Sequence, residues 1–225
     1  MNALQQTNMD YYGQVNLELA EAVGSAKPTQ VLEIGCGSGA LGGYMKSQNP
    51  SLRWDGIEAF PQAAEQARRQ LDHVTYANIE DVDLDAYAAY YDTIVMGDLI
   101  EHLVDPWALL TRLSRILKRG GQLVMSVPNI NHWSIAHSMM LGRFKYDDSG
   151  LLDRTHLRFF TLRELEIALA DVRLKPTVIK SVIHQNPAME TVIKTLVQAQ
   201  KSLGATNPRY ETELRTFQWL ITARK

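Results

Sequence analysis

Short apolar runs alternate along this chain with longer stretches in which apolar residues recur every three or four positions. The short runs have the length of buried β-strands, and the longer stretches have helical spacing. This alternation predicts an α/β fold, with a doubly wound, mostly parallel sheet of seven strands and helical insertions. The predicted strands cover residues 30–34, 54–57, 75–77, 93–96, 122–127, 176–183 and 216–223.

Helix boundaries follow from residues that begin or stop a helix. A helix is predicted over 9–23, and Pro61 begins another in its first turn. The motif Asp105-Pro106 opens a third helix, which is expected to continue through Lys118 and to stop at the two glycines that follow. Further helices are predicted from about residue 161 and over 187–202.

The length of 225 residues suits a single domain. Residues 1–28 are predicted to form an N-terminal helical cap, which either covers a cofactor bound at the sheet or packs against a second copy in a homodimer. Segments 129–160 and 184–215 interrupt the strand–helix order, so we expect them to be insertions on the substrate side. Long connections at strand ends are usually functional or disordered, and the aromatic content of 129–160 favours function.

Charge and cysteine content exclude several classes of function. The formal net charge is -2, and no basic stripe is present that could neutralise phosphates, so nucleic acid is not expected as a partner. The single cysteine, Cys36, cannot form an internal disulfide, which favours a reducing, cytoplasmic compartment. No apolar run approaches the roughly 20 residues that cross a bilayer, so no membrane span is expected.

A glycine-rich turn follows the first predicted strand, in the sequence VLEIGCGSGALG. Glycines at alternate positions permit positive φ angles and close approach of a ligand to the backbone. The pattern is shared by dinucleotide enzymes and by proteins that bind S-adenosylmethionine. The candidate cofactor contacts in this turn are Gly35, Cys36, Gly37 and Gly39.

Acidic residues near the turn favour a cationic ligand. Glu33 precedes the first glycine, and Asp98 follows the fourth strand. A pyrophosphate would avoid such carboxylates, whereas the sulfonium of S-adenosylmethionine would be attracted to them. Glu58, followed by Ala59 at the end of the second strand, is expected to bind ribose hydroxyls. After the third strand, Asn78 and Ile79 are expected to contact the adenine.

These motifs, together with GIEAF, YANIED, GDLIEHLVDPWALL, LKRGGQLVMSVPN and DRTHLRFFT, resemble the class I S-adenosylmethionine-dependent methyltransferases. The resemblance begins at Val31 and is closest to the bacterial group related to ubiquinone-pathway O-methyltransferases, whose standalone members often accompany sugar-modifying enzymes. It implies that Asn78, Ile79, Asp98 and Leu99 surround the adenine and sulfonium. The family commonly has Asp where this chain has Asn78.

Methyl transfer to a hydroxyl benefits from a general base, and histidine suits that role near neutral pH. The candidates are His102, His132 and His156, each with a structural role as its alternative. No metal is expected, because the spacing of the Asp and His residues near these positions matches no metal-binding template.

The favoured function is methylation of oxygen on a small or carbohydrate-like acceptor held by 129–160. Two alternatives stay open at this point. A nicotinamide oxidoreductase would share the glycine turn and Glu58, and a noncatalytic cofactor-binding protein would share the core.

Overall fold

The computed structural model describes residues 15–184, 186, 189–205 and 207–225. It contains one seven-stranded sheet with the order β3-β2-β1-β4-β5-β7-β6. Strands β1 to β5 run parallel to one another, and β7 runs antiparallel to both β5 and β6. The predicted fold class is therefore confirmed. The strands are β1 Gln30–Ile34, β2 Arg53–Glu58, β3 His73–Tyr76, β4 Tyr91–Gly97, β5 Leu117–Pro128, β6 Lys175–Val182 and β7 Gln218–Arg224.

Helices flank the sheet and connect its strands. Asp105 shows why one of them begins where it does, since its Oδ1 accepts a hydrogen bond from the Ala108 N–H at 3.0 Å and Pro106 occupies the first turn. The helices are α1 Leu17–Gly24, α2 Ala40–Gln48, α3 Pro61–Ala67, α4 Pro106–Ile116, α5 Trp133–Met140, α6 Leu162–Asp171, α7 Met189–Ser202 and α8 Tyr210–Arg215.

The two faces of the sheet bury separate hydrophobic clusters. Neighbouring residues of a strand point to opposite faces, so Val31 and Leu32 belong to different clusters. The cluster with Val31 packs against α1, α2 and α3. The cluster with Leu32 packs against α4 and α6 and includes four apolar residues of α4 that are almost fully buried. Helices cover both faces of the sheet, and ligands of such folds bind beyond the carboxyl ends of the parallel strands.

The sequence-based boundary between α4 and β5 is wrong. The helix ends at Ile116, and β5 already begins at Leu117, where a continuing helix was expected. Leu117 is fully buried and pairs with Tyr91, while the register shifts before the next pair. Burial against β4 therefore outweighs the helical propensity of this stretch. The predicted helix over 9–23 is described from Leu17 only, and its first residues lie outside the described part of the chain.

The two predicted insertions contact each other. Segment 129–160 contains α5, and segment 184–215 contains α7 and α8. Trp133 of α5 forms a buried cluster with Met189, Ile193 and Leu214. The two segments therefore build one layer beside the sheet. No described helix has the length and apolar character needed to cross a bilayer.

Candidate active site

The glycine turn lies between β1 and α2 and depends on left-handed backbone. Gly35, Gly37 and Gly39 have φ angles of 70°, 54° and 81°. A Cβ on Gly39 would lie 3.0 Å from the Ala67 Cα, and one on Gly35 would lie 3.2 Å from the Leu99 side chain. Both conformation and space therefore require glycine here. Leu99, a predicted cofactor contact, packs directly against the turn.

Glu58 holds the turn to the neighbouring strand. Its side chain is only 3% exposed, and its Oε2 accepts a hydrogen bond from the Gly37 N–H at 2.8 Å. Its Oε1 accepts from the Phe60 N–H at 2.9 Å. An ionised carboxylate has about four acceptor positions, so two remain for the predicted ribose hydroxyls. The following Ala59 is exposed at the same edge.

Glu33 lies beneath the turn rather than on its surface. It is 7% exposed, and its Oε2 accepts a hydrogen bond from the Trp54 indole at 2.8 Å. Burial, reinforced by repulsion from Glu58, raises the pKa of Glu33 to about 8. The carboxyl is therefore mostly neutral near neutral pH, which removes the full negative charge that the sequence argument assigned to it. A cation held close to Glu33 would favour its ionised form.

Cys36 is enclosed by the same turn. Its thiol packs against Gly56, where a Cβ would lie 2.6 Å from the sulfur. Burial raises the pKa of Cys36, and the nearby Glu33 and Glu58 raise it further. The thiol therefore stays protonated and acts as a small apolar side chain.

Asp98 lies across the turn from Glu58, in a backbone conformation that is uncommon for a residue other than glycine. Its φ angle is 48°. Its carboxylate accepts hydrogen bonds from the Ser126 hydroxyl at 3.2 Å and from the Gln218 amide. Ser126 and Gln218 come from β5 and β7, and sequence reasoning missed both. No local motif marks Gln218, because it meets Asp98 only after the antiparallel strand β7 is added to the sheet.

The predicted adenine contacts lie at the end of β3. The Asn78 Oδ1 accepts a hydrogen bond from the Glu80 N–H at 3.1 Å, which caps the short 3₁₀ turn Ile79–Asp81. Ile79 is buried in the larger core cluster. The second lone pair of the Asn78 oxygen is available for the adenine amine, and the contact with Ile79 stays a prediction.

Two of the three candidate histidines lie together. The ring centroids of His102 and His156 are 4.8 Å apart. The Nδ1 atoms contact the backbone carbonyls of Thr155 and Leu151, each at 3.2 Å. Burial is the largest cause that lowers the pKa of His156. A neutral His156 that donates from Nδ1 would leave Nε2 free to accept a proton.

Glu101 joins this histidine pair, and sequence reasoning did not select it. It is 1% exposed, its Oε1 lies 3.9 Å from the His156 Nε2, and its Oε2 has no hydrogen-bond partner. Burial raises the pKa of Glu101 well above its ordinary value. Its backbone carbonyl accepts from the N–H groups of Leu157 and Arg158, at 2.8 and 2.9 Å. Glu101 thus attaches the segment around His156 to the end of β4. The only sequence signal was its position beside His102.

Within the described part of the chain, one group has the composition and spacing to hold a metal ion. The ligand atoms of Glu101, His102 and His156 lie within 4.8 Å of one another. Asp98 and Asp153, the other acidic residues near these histidines, are not in this group. The expectation that no metal is needed stays a prediction.

His132 lies apart from the pair, in an aromatic environment. Its Nδ1 is 2.8 Å from the Ser134 hydroxyl, and its buried Nε2 has no partner. The neighbouring rings are Trp133 and Phe217, each 5.6 Å away between centroids. Burial, together with the nearby His184, lowers the pKa of His132 to about 4. It is therefore neutral at neutral pH and a weak base.

Comparisons with known proteins find methyltransferases, as the sequence predicted. A family model described as a methyltransferase domain matches residues 8–176. The ubiquinone biosynthesis O-methyltransferase of Cereibacter sphaeroides is 28% identical over 148 residues, which cover 62% of this chain and 59% of that protein. The aligned segments span 33% to 62% of the length of the first four curated relatives.

Solved structures share the fold at low identity. A S-adenosylmethionine-dependent methyltransferase from Archaeoglobus fulgidus has a TM-score of 0.63 and 18% identity, with 100% of both chains covered. The 1,6-didemethyltoxoflavin-N1-methyltransferase of Burkholderia thailandensis, solved with S-adenosylhomocysteine, has a TM-score of 0.57 and 18% identity, covering 92% of this chain and 76% of that one.

The chain therefore belongs to the methyltransferase-domain family. Its fold and turn are those of a class I S-adenosylmethionine-dependent methyltransferase, and S-adenosylmethionine is its cofactor. The cofactor predicted from the sequence is thereby confirmed.

Proposed function

We propose that the protein transfers the methyl group of S-adenosylmethionine to a hydroxyl oxygen of a small, carbohydrate-like acceptor held by segment 129–160. The main observation in support is that the turn held by Glu58 and the pair His102–His156 lie at the same edge of the sheet, on either side of Asp98. This edge is formed by the ends of parallel strands, where ligands bind in doubly wound folds.

In this proposal the glycine turn contacts the methionine part of the cofactor, and Glu58 accepts hydrogen bonds from the ribose. Asn78 and Ile79 contact the adenine, while Asp98 and Leu99 face the sulfonium region. Asp98 is held by Ser126 and Gln218, so its carboxylate is oriented before the cofactor arrives. Preorganised charge of this kind costs no reorganisation when the ligand binds.

The proposed base is His156, oriented by its contact with Leu151 and supported by His102. The acceptor hydroxyl gives its proton to the His156 Nε2, its oxygen forms the new bond to the methyl carbon, and the S–CH₃ bond breaks. S-adenosylhomocysteine leaves as a neutral thioether. His132 would contact the acceptor rather than remove its proton, because its depressed pKa makes it a weaker base.

Oxygen is favoured over nitrogen because several curated relatives are named ubiquinone biosynthesis O-methyltransferases. The Burkholderia thailandensis structure, an N1-methyltransferase, is the reason to test both acceptors. We also propose a cytoplasmic enzyme that acts on a small molecule and not on nucleic acid. The homodimer is a further prediction, which light scattering would test.

The test begins with calorimetric titration of S-adenosylhomocysteine and NAD into the protein. We expect saturation by the first ligand and none by NAD. Acceptors carrying hydroxyl or amino groups are then screened for release of S-adenosylhomocysteine. Cofactor binding without turnover of either acceptor class would contradict the proposed reaction and support a noncatalytic role. Turnover of amines alone would show that the methyl group is transferred to nitrogen instead of oxygen.

A further inference from the structure

A second cleft lies at the opposite edge of the sheet, where the parallel strands begin. Its walls are the turn between α1 and β1, the start of β5 and the end of β7. Thr93 lines this cleft, and β4 leads from Thr93 to Gly97 beside the candidate active site. At about 3.3 Å per residue, the two regions are separated by roughly 13 Å.

Basic side chains dominate the cleft. Lys27, Lys118, Arg119 and Arg224 all line it. The Lys118 Nζ donates to the Gln30 side chain at 3.0 Å and lies 3.9 Å from an Asp92 oxygen. Among the described residues, the other three basic side chains form no ion pair. Three unpaired cations around one concave surface favour an anionic ligand.

Buried polar groups supply the independent evidence for a ligand. Thr93, Gln122 and Arg224 are in register on β4, β5 and β7, so their side chains share one face of the sheet. Thr93 is 1% exposed and Gln122 is 2% exposed, yet the Thr93 hydroxyl and the Gln122 Nε2 have no hydrogen-bond partner. An unpaired buried donor lowers stability by about 1–3 kcal/mol. An acceptor bound in the cleft would therefore be stabilised by hydrogen bonds from these two donors.

One acidic residue restricts the choice of anion. The Asp92 Oδ2 accepts hydrogen bonds from the backbone N–H and the hydroxyl of Thr29 and from the Gln30 N–H. Its Oδ1 is buried without a partner. An anion that lies against this oxygen must itself offer a proton, since two facing acceptors would repel each other.

We propose that this cleft binds a phosphate group that retains one proton. The phosphate oxygens accept hydrogen bonds from Thr93 and Gln122, the basic side chains neutralise its charge, and its P–OH group donates to the Asp92 Oδ1. Free phosphate keeps one proton at neutral pH, whereas a phosphate monoester loses its last proton above about pH 6. Sulfate has no proton to donate, so the cleft distinguishes the two anions.

The test is calorimetric titration of the full chain with inorganic phosphate, sulfate and chloride at matched ionic strength. We expect phosphate to bind at least about tenfold more tightly than sulfate, equivalent to one hydrogen bond of about 1.4 kcal/mol. Methyl phosphate should bind below about pH 6, and its affinity should fall above that pH. This titration distinguishes a phosphate ester from free phosphate as the ligand. Equal affinity for phosphate and sulfate, or no response beyond that of chloride, would overturn the proposal.

Variants locate the binding. The double change Arg119→Gln and Arg224→Gln should weaken phosphate binding at least about tenfold, while Arg163→Gln, an exposed and unpaired arginine of α6, should leave it unchanged. Thr93→Val keeps the side-chain shape and removes the unpaired hydroxyl. It should weaken phosphate binding several-fold without lowering the thermal midpoint. Phosphate binding that persists undiminished in the double variant would reveal an adventitious ion only, and this variant decides the question if Thr93→Val does not fold.

Discussion

The cofactor side and the acceptor side of the candidate active site are built in different ways. On the cofactor side, the bonds from Gly37 to Glu58 and from Trp54 to Glu33 each join residues that are 21 positions apart. On the acceptor side, His102 contacts the Thr155 carbonyl across 53 positions, and the Asn129 amide donates to the Glu213 carbonyl across 84. A short strand–turn–helix–strand unit therefore defines the first region, whereas the second exists only after distant segments have packed together.

This difference has a chemical counterpart. Glycines and carboxyl groups of the cofactor side are fixed by backbone geometry, which suits a ligand common to the whole family. The acceptor side depends on the contacts of two insertions with each other and with Thr216, which lies just before β7. Because loops vary without disturbing the sheet, this side can change its substrate while the cofactor site is retained.

The largest expected effect is on the acceptor side. His156→Gln should lower kcat by about 10²- to 10⁴-fold, because it removes the proposed base. The dissociation constant of S-adenosylhomocysteine should not change, since the cofactor contacts remain. Steady-state kinetics and calorimetry measure the two quantities, and His73→Gln, an exposed histidine of β3, is the control. Unchanged turnover would remove His156 from the mechanism.

The pH profile sharpens this prediction. Burial holds the pKa of His156 below its ordinary value, so the base stays unprotonated to lower pH than an exposed histidine would. Turnover should therefore decline only when the pH falls through this depressed pKa. The acidic limb of the kcat profile should disappear or shift in His156→Gln.

The next effect is on the cofactor side. Glu58→Ala removes the acceptor for the N–H groups of Gly37 and Phe60 along with the proposed ribose contact. We expect affinity for S-adenosylhomocysteine to fall by about 10- to 100-fold, or roughly 1.4–2.8 kcal/mol. Calorimetry measures the change, and Glu65→Ala on the exposed side of α3 provides the comparison. A retained dissociation constant would show that the turn holds the cofactor without Glu58.

A smaller effect concerns stability and pH. Glu33 has a folded-state pKa of about 8, above the value of about 4.3 expected in the unfolded chain. The folded state therefore holds a proton that the unfolded state has lost, and stability declines as the pH rises through this window. In Glu33→Gln, the loss of unfolding free energy over this pH range should be smaller by about 1–2 kcal/mol. This magnitude is below the full effect of the pKa difference, because the surroundings of a buried charge relax.

Urea unfolding at several pH values measures this decline. Glu18→Gln in the exposed first turn of α1 should keep the wild-type slope. If Glu33→Gln retains the same slope as well, another group, such as the buried Glu101, is responsible for the pH dependence.

The smallest effect tests the link between the two sides. Gln218→Leu removes one donor to the Asp98 carboxylate and leaves the Ser126 contact in place. We expect a few-fold rise in the cofactor dissociation constant, corresponding to about 0.5–1.5 kcal/mol for one hydrogen bond. Gln198→Leu on the exposed face of α7 is the control. Equal cofactor affinity in both variants would show that the Gln218 side chain does not contribute to cofactor binding.

Much of the fold could be predicted because periodicity and turn residues act locally. β1 was predicted at its exact bounds, and the other strands differ mainly at their ends. The exception is the start of β5. Leu117 was expected to be helical, and its pairing with Tyr91 of β4 could not be predicted from local propensity. The partners of Glu101 and Asp98 could not be predicted either, since a hydrogen bond depends on distances that only the packed chain sets.

By itself the sequence determined the α/β architecture, the glycine turn and the position of Glu58, since each of these depends on a few consecutive residues. The tertiary structure decided that Glu33 is buried against Trp54 and mostly neutral, and that His102 and His156 lie beside Glu101 while His132 lies elsewhere. It did so because burial sets the charge of an acid, and because the contacts of an insertion depend on the surface against which it packs.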